Sequence, residues 1–188
     1  MPTLTIVAGA NGAGKSTLTR SVPEAFQDHP VLDPDAVLKA ANVAGIGASS
    51  PIDAGRAILR MCEQLLGRQE TFLVETTLSG STYLRMMERA HSLGYKVRLI
   101  YVGTELVEIN VQRIRDRVLK GGHDVPEHDQ RRRYPRSLAN LKSALQLADE
   151  AALFDNSSSE GHRVIAIKDH QGISWFAPKP RWAEGLNL

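Results

Sequence analysis

Eight residues limit what this chain can fold into more than any others. Gly9-Ala10-Asn11-Gly12-Ala13-Gly14-Lys15-Ser16 fits GxxxxGK[ST] without a mismatch. Its surroundings fit too. Leu4-Thr5-Ile6-Val7-Ala8 is a short apolar run that stops at glycine and reads as a buried strand, and Leu18 to Phe26 reads as a helix opened by Lys15-Ser16-Thr17. Glycines let the backbone curl so that successive N–H groups point inward at phosphate oxygens, and the positive end of the following helix adds to their pull. Residues 9 to 16, with Thr17 beside them, are therefore the predicted nucleotide contacts. Lys15 is expected on the β- and γ-phosphates, and the Ser16 hydroxyl on Mg²⁺. Such a cradle does not say where the γ-phosphate goes.

The remaining elements alternate. Strands are predicted at Val31-Leu32-Asp33, Thr71 to Val74, Lys96 to Val102, Ala152 to Phe154 and Arg163 to Ile167. Helices are predicted at Ile52 to Leu66, Tyr83 to Leu93, Glu105 to Leu119 and along the Leu138-Leu141-Leu145 face. Gln171-Gly172 is expected to turn a terminal hairpin. This order implies an α/β chain: a P-loop NTPase-type three-layer α/β/α sandwich, kinase-like, with a mostly parallel sheet, a lid insertion near 117–137 and a C-terminal hairpin. With 188 residues, 42% hydrophobic and 23% charged, one domain over 1–188 is expected. No apolar run approaches the roughly 18 residues that cross a bilayer. The lone Cys62 allows no internal disulfide, so a cytoplasmic protein is expected. Twenty-three basic and 21 acidic residues leave a net charge of +2, and only 5% of residues are aromatic. Nucleic acid is thus a poor candidate partner.

Three groups near the cradle carry candidate chemistry. Asp33-Pro34-Asp35 closes the second strand, and Glu75-Thr76-Thr77 closes the third. Ligands of open α/β sheets gather at the C-terminal ends of strands, so both acidic sites should face the phosphate loop. Asp33, Asp35 and Glu75 are the candidate acids, since a carboxylate there can act as base on an acceptor hydroxyl or help to hold Mg²⁺. Phe72-Leu73-Val74-Glu75 ends in Glu rather than the Asp of a motor ATPase. The third group is basic: Arg117 and the run Arg131-Arg132-Arg133-Tyr134-Pro135-Arg136 flank Gly121-Gly122-His123-Asp124-Val125-Pro126, a glycine-hinged loop. An arginine that closes over the γ-phosphate stabilises its dispersed charge, and its planar fork binds phosphate oxygens bidentately. Arg117, Arg131, Arg132, Arg133 and Arg136 are the candidates, of which at least one is expected to act, while His123 is expected to shape the loop.

Taken together, the Walker octet, Asp33-x-Asp35, Glu75-Thr76-Thr77, Gly94-Tyr95, Gly121-Gly122-His123-x-x-Pro126, Arg133-Tyr134 and Asp155-Asn156-Ser157 resemble the zeta toxin family of P-loop kinases, in order over roughly residues 3 to 157. The resemblance implies an ATP-dependent small-molecule kinase using Mg²⁺, with UDP-N-acetylglucosamine as the acceptor of characterised relatives and an antitoxin protein as partner. It implies Lys15 and Ser16 as phosphate and Mg²⁺ residues, Asp35 as base, and Arg117 with one of Arg131 to Arg133 as lid arginines. It also implies Asn156 as an adenine-side contact. The chain departs from the pattern after Asp35, where Ala36-Val37-Leu38-Lys39-Ala40-Ala41 contains neither the Arg nor the His-Pro of the toxins. Two other readings compete: a nucleotide-dependent binding module or switch with weak ATPase activity, and a kinase of nucleic-acid ends.

Overall fold

The computed structural model describes residues 1–21, 29–33 and 51–186. Asp35 and the expected continuation of the first helix to Phe26 lie outside those residues. Seven strands form a single sheet: β1 (Thr3–Ala8), β2 (Val31–Leu32), β3 (Phe72–Thr76), β4 (Lys96–Gly103), β5 (Glu150–Asp155), β6 (Arg163–Asp169) and β7 (Gly172–Trp175). The helices are α1 (Lys15–Ser21), α2 (Pro51–Gly67), α3 (Thr82–Ser92), α4 (Val107–Leu119) and α5 (Glu127–Leu147), followed by a short 3₁₀ turn at Arg181–Ala183.

The strand order is β2-β3-β1-β4-β5-β6-β7. The first five strands in that order run parallel. β6 pairs antiparallel with β5, and β7 antiparallel with β6 through Asp169↔Gly172. The mostly parallel sheet with its terminal hairpin thus matches the sequence expectation. β1 is the middle of the five parallel strands, Ile6 facing Val74 on one side and Leu99 on the other. A central parallel strand is covered on both faces, so it carries apolar residues continuously rather than alternately. Leu4 to Ala8 are all buried.

One face is packed by helices whose apolar residues recur at helical spacing: Ile58, Cys62 and Leu66 of α2, Met86, Met87 and Ala90 of α3, and Leu141, Ala144 and Leu145 of α5. Cys62 belongs to this core. Burial, with help from the neighbouring Glu63 charge, pushes its thiol up to about 12, so it stays protonated and inert. On the other face Leu18 of α1 packs with Ala13 and Val102, flanked by Ile100 and Phe154.

Two glycine-terminated helices share one cap. After α3, Gly94 adopts φ 77° and the N–H groups of Tyr95 and Gly94 bond Ala90 O and His91 O. After α4, Gly121 adopts φ 80° and the N–H groups of Gly122 and Gly121 bond Arg117 O and Val118 O. Both are Schellman endings, in which the left-handed glycine lets two otherwise orphaned carbonyls find donors. The Gly121-Gly122 pair therefore closes a helix in addition to opening the 120–126 loop.

The helix expected from the Leu138-Leu141-Leu145 face is α5, which starts at Glu127, takes in the arginine run and continues through Pro135. A proline there removes one helical donor at a cost of about 3 kcal/mol. Flanking tertiary contacts offset it: Tyr134 donates from its hydroxyl to Thr104 O (2.6 Å), and Ser137 pairs with the buried Tyr101 hydroxyl (3.0 Å). No helix among the described residues is long and apolar enough to cross a membrane.

Candidate active site

The C-terminal ends of β1, β3 and β5 open into a cavity of about 960 Å³, near the top of the usual range for ligand pockets. Residues 11 to 17 of the phosphate loop and α1 line it, except for Ala13, which is buried beneath. Glu75, Thr76 and Thr77 line it from β3, Arg113 and Arg117 from α4, and Arg133 from α5.

The loop is built for close approach. Gly9, Gly12 and Gly14 adopt φ of 143°, 79° and 104°, a region that L side chains rarely enter. There is also no space for a side chain. A Cβ on Gly12 would lie 2.5 Å from Asn110 O, and one on Gly14 would overlap the Asn156 amide and stand 2.9 Å from His162 Nε2. These three glycines hold the curl because β4, α4 and the β5–β6 loop press against it from outside. Lys15 Nζ donates to Gly9 O (2.9 Å) and Ala10 O (3.3 Å), so the ammonium lies folded across the loop.

Glu75 is the best-defined acid of the site. Only 4% of it is exposed, and its two oxygens accept hydrogen bonds from Ser16 Oγ (2.8 Å) and Thr19 Oγ1 (2.9 Å) on adjacent turns of α1. Burial raises its pKa above the ordinary carboxylate value, while the Lys15 ammonium and the two hydroxyl donors pull it back and Asp33 pushes it further up. Thr19 has no place in the Walker pattern. Its position three residues after Ser16, on the same helix face, is the signal that could have identified it. Asp33 also lines the cavity.

The arginines separate by surroundings. Arg131 pairs with Glu108 and Glu127 on the outer surface, both at 2.8 Å, and Arg132 with Asp129 at 2.5 Å. Arg133 alone of the three lines the cavity, reaching Asn11 Oδ1 of the phosphate loop at 3.3 Å and Asp129 at 3.5 Å. Arg117 lines it from one α4 turn beyond Arg113, its stem packed under Gly122, where a Cβ would come within 2.5 Å of Arg117 Cγ. Buried guanidinium nitrogens of Arg113 (Nη1) and Arg117 (Nε) have no hydrogen-bond partner among the described residues, which fits them for an anionic guest. Arg113 was part of a basic cluster in sequence, but nothing there singled it out. His123 is exposed and does not line the cavity.

Asn156 is 6% exposed and lies at the cavity edge, where its side-chain amide donates to Ala13 O (2.7 Å) and its backbone N–H to Gly103 O (2.9 Å). His162 reaches Gly14 O at 3.0 Å. Both brace the phosphate loop. Two further motif residues are structural: Tyr95 donates from its hydroxyl between Leu65 O (3.0 Å) and Glu70 O (2.9 Å), and Tyr134 ties α5 to the end of β4.

The donor set fits a magnesium nucleotide: curled amides and an ammonium for a polyphosphate, with a hydroxyl and a carboxylate side by side for a hard cation. Among the described residues no cluster of three or more His, Cys, Asp or Glu side chains forms a metal site by itself. A divalent ion here would rely on phosphate oxygens and water for most of its ligands.

Known proteins share the sequence pattern and the fold. A protein of Haemophilus influenzae, without assigned function, is 36% identical over 126 residues, covering 67% of this chain and 88% of its own. Among solved structures, that of the PezAT chromosomal toxin-antitoxin system of Streptococcus pneumoniae superposes with TM-score 0.63 at 19% identity, covering 89% of this chain and 72% of that one. The AvrRxo1-ORF1:-ORF2 complex with ATP gives TM-score 0.62 at 16% identity, covering 94% of this chain, which spans 61% of the matched one. The model of the zeta toxin family matches residues 1–176. The chain belongs to the zeta toxin family and has the P-loop kinase fold.

Proposed function

We propose that this chain moves the γ-phosphate of ATP to a hydroxyl group of a small molecule. One observation carries the reading: a single cavity brings together the curled loop with Lys15, the buried acid Glu75, and three arginines from two other helices. Cationic side chains brought to the phosphate loop from two other helices suit transfer of a charge-dispersed phosphoryl group.

In this reading the loop amides and Lys15 hold the β- and γ-phosphates. Ser16 would ligate Mg²⁺ with Glu75 behind it, and when bound the ion would neutralise charge between those phosphates. Arg117 and Arg133 close over the γ-phosphate and exclude water, with α4 and α5 as the two sides of a lid over 117–137. Asp35 orients or deprotonates the acceptor hydroxyl, and Asp33, two residues earlier, is at the cavity wall. Asn156 supports the loop at the nucleotide side. UDP-N-acetylglucosamine is the first acceptor to test, as the family resemblance implies. An antitoxin partner is proposed on the same footing, since PezAT is a toxin-antitoxin system.

The deciding experiment incubates the chain with γ-labelled ATP, Mg²⁺ and a panel of sugar nucleotides, and asks which product carries the label. Label on a sugar hydroxyl is expected. Slow release of inorganic phosphate with every acceptor would favour the switch, and label on oligonucleotide ends would favour the end kinase.

A further inference from the structure

Residues 177–186 lie beyond the family match, yet Trp182, Ala183 and Leu186 are buried in the core that packs one face of the sheet. Trp182 is 8% exposed. Its ring tilts against Tyr101 of β4, with centroids 5.7 Å apart, and lies over Gly103, where any Cβ would overlap the indole. Its Nε1–H donates to Asp155 Oδ1 at 2.9 Å. Asp155 Oδ1 also accepts the Ser157 hydroxyl at 2.6 Å, and Ser157 Oγ accepts the Glu105 N–H at 2.9 Å. The Glu105 carboxylate in turn accepts the Arg181 N–H at 3.2 Å. Both residues flanking Asn156 are thus tied to the tail, directly at Asp155 and through Glu105 at Ser157, while the Asn156 amide holds Ala13 O.

We infer that the C-terminal tail is a latch for the phosphate loop, with Trp182 as a positioning residue for nucleotide binding. The tail fixes the Asp155-Asn156-Ser157 turn from behind, and the turn fixes the loop. Asp155 is 7% exposed, so an indole N–H lost from it is not readily replaced by water; the carboxylate keeps the Ser157 hydroxyl and Arg163 at 3.8 Å, and the turn shifts to replace the missing donor. Asn156 has no slack for such a shift, because its backbone N–H bonds Gly103 O at the end of β4 and its side chain bonds Ala13 O of the phosphate loop. The inference rests on the proposal that the cradle takes ATP.

The test compares the full chain with Trp182→Phe, which keeps a ring and removes the donor, and Trp182→Ala. Ile58→Val in the α2 core serves as a control that lowers the melting midpoint far from the site. ATP affinity is measured by calorimetry, and amide hydrogen exchange at residues 10–18 and at Asn156 is measured without nucleotide. Trp182→Phe is expected to weaken ATP binding about three- to tenfold and to speed exchange at those amides, with kcat nearly unchanged under saturating ATP. Trp182→Ala should do more, and Ile58→Val neither. If Trp182→Phe lowers the midpoint as Ile58→Val does while leaving ATP affinity and loop exchange unaltered, the tail is ordinary packing and the inference fails. A wild-type chain that binds no ATP would instead sink the proposed function, and the exchange arm would still decide the latch.

Discussion

Gly14→Ala probes the cradle most directly, because its cost can be worked out from its neighbours. Gly14 adopts φ 104°, so an alanine there holds a sparsely populated backbone conformation at about 1–3 kcal/mol. The new methyl would overlap the Asn156 amide and come within 2.9 Å of His162 Nε2. Asn156 can yield only by rotating its amide, since its backbone is bonded to Gly103 O. Rotation breaks the bond to Ala13 O and strands a buried polar group, costing about 1–3 kcal/mol more. A combined loss of about 2–6 kcal/mol lowers the melting midpoint of a chain this size by roughly 4–24 °C. Gly67→Ala is the internal comparison. It sits exposed at the end of α2 with no described atom within 4 Å of its Cβ position, and it should be neutral or stabilising by about 0.5 kcal/mol. Calorimetric melting with an ATP titration of both variants reads the result. If Gly14→Ala melts with Gly67→Ala and binds ATP as tightly as wild type, the loop does not curl against Asn156 as described.

Lys15→Ala is expected to abolish transfer, and Asp35→Ala to abolish it while sparing ATP binding; normal turnover by the Asp35 variant would remove it as the base. Arg133→Ala should lower kcat by about 10³ or more, because that arginine faces the cavity, whereas Arg131→Ala, whose guanidinium is occupied by exposed Glu108 and Glu127, should change it little. Glu75 sets a pH dependence of stability opposite to that of a salt-bridged carboxylate. Its folded pKa is raised, chiefly by burial, so the native state holds this proton more tightly than the unfolded state. Stability from this group is then highest below the unfolded value near 4.5, falls as pH rises through the raised native value, and is level above it. Melting of Glu75→Gln across that range should lack this fall.

How far the sequence could be read depended on how local each cause is. The Walker octet is legible because its geometry is set within eight residues, and the strands are legible because central parallel strands advertise themselves as unbroken apolar runs. The two glycine caps after α3 and α4 were readable for the same reason. The arginine run was not. Three consecutive arginines differ by about 100° each around a helix, so which one enters the cavity depends on the phase of α5, and that phase is set by Tyr134 and Ser137 reaching elements some 30 residues away.

By itself, then, the sequence determined a curled strand–loop–helix turn inside a parallel sheet, of the shape that suits a polyphosphate, since short-range backbone chemistry dictates that much. Only the tertiary structure chose Arg133 over its neighbours, paired Thr19 with Glu75, placed Asn156 under the loop and laid Trp182 against Asp155. Each of these contacts joins residues far apart in the chain, and what brings them together is burial of the sheet's two faces, a property of the whole fold that no local pattern encodes.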